Sequence, residues 1–217
     1  AAQTMFDAPR AALDLAPVRA ALQSLAQDPT NADTLIYEAP SPQPGQCTRF
    51  IAPRTLTELA RWRAELPQAR LLAGSTDVGL WVNKQFRALG DILYLGRVAE
   101  LKHITPWADG SAQGLEIGAG VSLEAAWQTL AHHLPALTEI WKRFASPPVR
   151  HAGTLGGNIA NGSPIGDSMP LLIALRAQVV LASQARGERQ LPLEDLYTGY
   201  RQNVMAADEL LVRIVVP

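Results

Sequence analysis

The chain has 217 residues, 47% of them apolar, so it can bury a substantial core, and its 19 basic and 20 acidic residues leave a formal charge of -1. That balance excludes the one-sided field of a nucleic-acid binder. The single cysteine, Cys47, excludes an internal disulfide, a Cys-rich zinc site and an iron–sulfur cluster within these residues, and reads as a small apolar residue.

In chain order, residues 1–46 stand apart. Leu15, Val18, Leu22 and Leu25 recur at helical spacing and predict an amphipathic helix over 11–25, stopped by Asp28-Pro29-Thr30-Asn31. Residues 38–46 hold three prolines and a glycine, the composition of an extended linker. From Cys47 onward one domain is expected, with no repeats. A strand at 48–51, a helix entered through Pro53-Arg54-Thr55 with Leu56, Leu59, Ala60 and Trp62 on one face, a strand at 70–73, a helix at 77–85 and a strand at 91–95 form a β-α-β-α-β run, hence a small parallel α/β lobe over about 47–97. Beyond it the pattern predicts strands at 101–105 and 114–118, helices at 123–133 and 137–144, then strands at 177–182, 190–193 and 210–216. A turn at Ala185-Arg186-Gly187 suits an antiparallel hairpin. The fold class is therefore α+β, with a larger antiparallel sheet lobe flanked by helices over about 98–217. The most apolar stretch, 169–182, is broken by Arg176 and Gln178, and no basic region followed by a long apolar run opens the chain, so no membrane partner and a cytoplasmic location are expected.

Two glycine-containing stretches carry chemistry. Leu71-Leu72-Ala73-Gly74-Ser75-Thr76-Asp77 takes a strand into a helix through a glycine and two hydroxyl residues, an arrangement whose successive N–H groups can face a phosphate. The plain alternative is an ordinary β-α turn with Ser75 or Thr76 as helix cap. The second stretch, 152–167, has five glycines and two asparagines in sixteen residues. Glycine costs about 0.5 to 1 kcal/mol against alanine in regular structure, so such density points to backbone that passes close to a ligand. A glycine-rich surface loop is the alternative, at odds with Leu155, Ile159 and Ile165, which require burial.

No familiar nucleotide fingerprint covers either stretch. Gly118-Ala119-Gly120 opens like a dinucleotide-binding turn, but Leu123 stands where the third glycine belongs. The P-loop and the Gly-x-Ser-x-Gly elbow are absent. His103, His132, His133 and His151 make no metal spacing and read as exposed or capping residues. No catalytic acid–base residue and no metal ligand is nominated, and Asn161-Gly162-Ser163 reads as loop chemistry rather than a glycosylation site.

The pair Leu71-Leu72-Ala73-Gly74-Ser75-Thr76-Asp77 and Thr154-Leu155-Gly156-Gly157-Asn158-Ile159-Ala160-Asn161-Gly162-Ser163-Pro164-Ile165-Gly166-Asp167 resembles the FAD-binding domain of bacterial xanthine dehydrogenases. Residues 117–123 and Tyr197-Thr198-Gly199-Tyr200-Arg201 are similar to that family in the same order, so the resemblance covers about 48–217. The opening residues look like the helical tail that follows the iron–sulfur domains in the small subunits of these enzymes.

The resemblance implies the PCMH-type FAD-binding fold shared with the vanillyl-alcohol oxidase and cresol methylhydroxylase flavoproteins, with FAD lying between two lobes. Carried over by position, Leu71, Leu72, Ala73, Gly74, Ser75, Thr76, Asp77 and Val78 would wrap the diphosphate. Thr154, Leu155, Gly156, Gly157, Asn158 and Asn161 would meet it from the other lobe. Phe144 would stand against the flavin ring or pack as a core residue, Asp167 would contact the cofactor and cap the helix 168–175, and Leu211 would contact it from the last strand. The family also implies two-iron two-sulfur clusters and a molybdenum cofactor outside this chain, iron–sulfur domains and a molybdopterin-binding subunit as partners, and NAD as the acceptor of electrons drawn from a purine. A further C-terminal subdomain is implied too, so this sequence by itself is expected to hold FAD weakly and not to turn over. Two other readings stay open: the flavoprotein of a carbon-monoxide or aldehyde oxidoreductase, and a flavin-free interaction module.

Overall fold

The computed structural model describes residues 14–26, 33–41, 45, 47–109, 112–163 and 166–217. Two units are distinguished, residues 1–33 and 34–217. In the first, helix α1 (Ala16–Ala26) accounts for the described part of the expected helix, and Asp14 Oδ1 accepts from the N–H of Ala16 at 2.9 Å. Residues 11–13 and the stop at 28–31 lie outside the described residues.

The second unit begins with a strand that the proline content hid. Strand β1 (Leu35–Pro40) pairs antiparallel with β2 (Cys47–Ala52), Leu35 opposite Ala52 and Pro40 opposite Cys47. The expected linker and the boundary at 46/47 therefore fall inside a hairpin. Leu35, Ile36 and Tyr37 have the residue types strands favour, and Pro40 ends an edge strand, where a missing N–H costs no ladder bond. Cys47 is exposed rather than packed.

Helix α2 (Leu56–Glu65) follows, opened by a capping box in which Thr55 accepts from Glu58 N–H at 3.2 Å and the Glu58 carboxylate accepts from Thr55 N–H. Strand β3 (Arg70–Leu72), helix α3 (Val78–Asn83) and strand β4 (Ile92–Tyr94) complete a sheet ordered β1-β2-β4-β3, parallel except for the edge pair β1/β2. Leu101, expected in a strand, instead lies in the 3-10 turn Ala99–Lys102, its side chain buried and its carbonyl accepting from Gly120 N–H.

The larger sheet is antiparallel and ordered β5-β6-β11-β7-β8, from β5 (Ile104–Asp109), β6 (Ala112–Gly118), β7 (Gln178–Ser183), β8 (Gly187–Pro192) and β11 (Leu210–Val216). Gly187 at φ 69° makes the hairpin turn between β7 and β8. A small hairpin, β9 (Tyr197–Gly199) with β10 (Gln202–Asn203), lies between β8 and β11 in the chain. Helices α4 (Leu123–His133), α5 (Thr138–Arg143), α6 (Pro147–Ala152), α7 (Leu155–Asn161) and α8 (Ser168–Ala174) lie between β6 and β7 in the chain.

The central strands are buried on both faces. Val179 and Leu181 join Trp127, Leu155, Ile159 and Leu172 in one core, while Val180 and Ala182 join Ile51, Leu59 and Leu93 of the small sheet layer in the other. The larger sheet is thus the middle layer, and the two lobes share a core through it. Leu59→Ala is expected to cost about 2–5 kcal/mol in denaturant unfolding, with both lobes still melting in one transition. Two separated transitions would contradict the shared core.

Candidate functional site

The first glycine stretch becomes the β3–α3 loop. Ser75 adopts φ 61°, a left-handed conformation uncommon for a residue with a side chain. The main-chain N–H groups of Gly74, Ser75, Thr76, Asp77 and Val78 donate to no acceptor among the described residues, and Ser75, Thr76 and Asp77 are exposed. Neither Ser75 nor Thr76 caps the helix: Asp77 occupies the N-cap position, and its carboxylate makes no capping bond. A run of open amide donors is what an anion-binding concavity requires.

The second stretch differs from the expected loop. Its centre is helix α7, capped by Thr154, whose Oγ1 accepts from Gly157 N–H at 3.1 Å. The remaining amides of the first turn are used within the protein: Leu155 N–H donates to Val121, Gly156 N–H to Ala119 and Asn158 N–H to Thr154. Hydrogen bonds on either side of the Ser122/Thr154 bridge leave the Thr154 N–H as the open donor. Leu155 and Ile159 are fully buried, which is why the segment is not a surface loop; Pro164 and Ile165 lie outside the described residues. The glycines serve close approach to the protein itself. A Cβ on Gly156 would come 2.5 Å from the Cβ of Ala119.

The two stretches meet. A Cβ on Gly74 would run into the carbonyl oxygen of Ala152 and stand 2.7 Å from the Cα of Gly153, and one on Gly153 would lie 3.6 Å from Thr76 Oγ1. Asn161 Nδ2 donates to Asp77 Oδ2 at 2.8 Å across the junction. The far end of α7 is fixed by Gly162, left-handed at φ 57°, and by Tyr197, whose hydroxyl donates to the Ile159 carbonyl at 2.9 Å; burial pushes this phenol's pKa up. Asn158 adds a buried Oδ1 that has no partner.

The open main-chain donors are thus concentrated on the β3–α3 side of the junction between the two stretches. The profile of the family described as "FAD binding domain in molybdopterin dehydrogenase" matches residues 46–217. The chain belongs to this family. It is 33% identical to the xanthine dehydrogenase FAD-binding subunit of Escherichia coli O157:H7 over 75% of this chain and 55% of that one, and 31% identical to the nicotinate dehydrogenase FAD-subunit of Eubacterium barkeri over 77% and 57%. Against the xanthine dehydrogenase of Blastobotrys adeninivorans it spans only 12% of the relative's length. Carbon monoxide dehydrogenase of Hydrogenophaga pseudoflava superposes with a TM-score of 0.69 at 30% identity, over 77% of this chain and 58% of that one. The α+β fold with its two larger sheets is the fold of this FAD-binding family.

The remaining expected site residues of this FAD-binding domain divide by burial. Leu71, Leu72 and Ala73 lead into the β3–α3 loop and are half-buried, and Gly157 is exposed. Phe144 is 6% exposed and stacks at 5.9 Å on Trp127 within the core, and Leu211, opposite Leu181 on β11, is 5% exposed in the same core. Asp167 precedes α8 in helical backbone geometry, exposed and without the expected capping bond, because φ −80° and ψ −19° already continue the helix. Among the described residues no group of three or more His, Cys, Asp or Glu could hold a metal, and no helix is long and apolar enough to cross a membrane.

Sequence reasoning missed the residues that hold one wall in place. Arg150, 9% exposed, donates through Nε to Glu124 Oε2 at 2.5 Å and through Nη1 to the carbonyls of Phe144 and Ala145, at 2.9 and 3.2 Å. Ala145 is left-handed at φ 46°, and the bond to its carbonyl helps hold that conformation just before α6 and Gly153. The signal was an arginine flanked by Pro147-Pro148-Val149 and a glycine motif, with Glu124 as a partner that only the fold reveals. The Arg150 guanidinium, followed by the Trp141 indole N–H, holds the Glu124 carboxyl below its ordinary 4.5. A lowered folded pKa means that the pair's contribution is present above the unfolded value and is lost as pH falls through the folded one. Glu124→Gln is expected to cost about 3–5 kcal/mol at neutral pH, since it leaves a buried guanidinium unbalanced. The gap from the parent protein should narrow on acidification below pH 4.5, measured by urea unfolding across pH; a gap that stays constant would remove the charge argument.

Proposed function

We propose that this junction holds the diphosphate of FAD and that the chain is the flavin-carrying module of a xanthine dehydrogenase-like enzyme. The observation that carries the reading is the run of unpaired amides from Gly74 to Val78 beside the open Thr154 N–H and the partnerless Asn158 Oδ1. The donors suit two phosphate groups, and the orphaned carbonyl suits a hydroxyl or N–H of the same ligand, so the residues present fit the group. Direct contacts are proposed for Gly74, Ser75, Thr76, Val78, Thr154 and Asn158 and for the main-chain N–H of Asp77, with the Asn161 amide turned to the Asp77 carboxylate beside them. Gly157 and Asp167 are proposed as exposed contacts, while Leu71, Leu72, Ala73, Phe144, Leu155, Gly156 and Leu211 shape the surrounding walls. When bound, FAD supplies the hydride and electron chemistry, and the protein supplies position and a fixed dipolar environment.

For the whole protein we propose iron–sulfur domains and a molybdopterin-binding subunit as partners and NAD as the electron acceptor, in the cytoplasm. Relatives named for xanthine, nicotinate, quinoline and carbon monoxide share this domain at 29–33% identity, which supports a choice of substrate made outside these residues.

The test is a titration with FAD and with riboflavin, read by flavin fluorescence. Charge-assisted hydrogen bonds contribute about 1.5–3 kcal/mol each, so FAD should bind at least about a hundredfold more tightly than riboflavin. Equal affinities would remove the diphosphate from the account, and no binding of either would favour a flavin-free interaction module.

A further inference from the structure

We infer that Asp77 and Asn161 are positioning residues, and that the hydrogen bond between them is the latch that fixes the spacing of the two stretches proposed to meet FAD. The inference rests on the FAD reading above.

The other contacts between the two stretches among the described residues are steric. Gly74 against Ala152 and Gly153 resists compression but does nothing against separation. Asn161 Nδ2 to Asp77 Oδ2, at 2.8 Å, is directional and joins residues 84 positions apart. Asp77 stands at the head of α3 in helical backbone geometry, φ −92° and ψ −47°, so its carboxylate does not cap the helix and is free to reach Asn161.

The electrostatics point the same way. A carboxylate among donors meant for a diphosphate would repel that ligand. Binding to the Asn161 amide fixes the Asp77 charge toward α7, while the N–H of Asp77 stays open with its neighbours. Asn161 is a firm anchor because it ends a helix whose last turn is held by Gly162 and by the Tyr197 hydroxyl. The latch therefore ties a loop of unpaired amides to a helix end that is itself held.

The test uses Asn161→Ala, Asn161→Asp and the exchange Asp77→Asn with Asn161→Asp, each read by FAD affinity and by backbone 15N relaxation of the flavin-free protein. Asn161→Ala should weaken FAD about tenfold or more and lower the order parameters of residues 74–78, with the melting temperature little changed because Asp77 is exposed and Asn161 half-buried. Asn161→Asp should be worse, since two carboxylates then face each other, and the exchange should recover most of the affinity by rebuilding the bond with donor and acceptor reversed. Parental FAD affinity and loop order in Asn161→Ala would overturn the inference, as would an exchange no better than Asn161→Asp alone. A parent protein that does not bind FAD would instead sink the reading of the site, and the positioning role with it.

Discussion

The site depends on one close approach: the backbone of Gly74 lies against the backbone of Ala152 and Gly153, where no side chain fits. Everything that makes the groove useful follows from that contact. It brings the end of a parallel strand in the small sheet next to the start of α7 in the larger lobe, with Thr76 beside Gly153 and Asp77 bonded to Asn161. Glycine at 74 is thus demanded first by the protein's own packing and only indirectly by a ligand. The same holds at Gly156, whose missing Cβ accommodates Ala119.

The two walls have different tasks. The second is a scaffold: its first-turn amides are tied to Ala119, Val121 and Thr154, its far end to Tyr197, and the segment leading into it to Arg150 and Glu124. The first is a set of donors left free by a loop with a left-handed serine and an uncapped helix. Unpaired donors have to be held in place by something that does not use them, and a rigid partner wall meets that need. The shared core beneath both sheets extends the same logic, since the larger sheet packs on both faces and links the lobes.

Much of this was legible in the residues. The strands at Arg70–Leu72 and Leu210–Val216, the helix Leu123–His133 and the capped helix after Thr55 follow from apolar spacing and capping chemistry, and they were found close to where they were expected. The family was legible from two motifs. Errors arose where local composition was outweighed by contacts distant in sequence. Prolines disguised β1, which exists because β2 pairs with it; glycines disguised α7, which exists because Leu155 and Ile159 are buried beneath it. The second stretch was expected to meet the diphosphate from the other lobe, but its first-turn amides are occupied: Leu155 and Gly156 donate to Val121 and Ala119, acceptors invisible in its own sequence, and Gly157 and Asn158 donate to Thr154.

The central claim is that the amides from Gly74 to Val78 are the ones that meet the cofactor. Residue-resolved amide hydrogen exchange with and without FAD tests it most directly, because donors with no acceptor exchange freely and donors bound to phosphate do not. The account predicts fast exchange at residues 74–78 and at Thr154 in the flavin-free protein and strong protection at those positions once FAD is added. Protection that appears elsewhere, with residues 74–78 still exchanging freely in the flavin-bound protein, would contradict it.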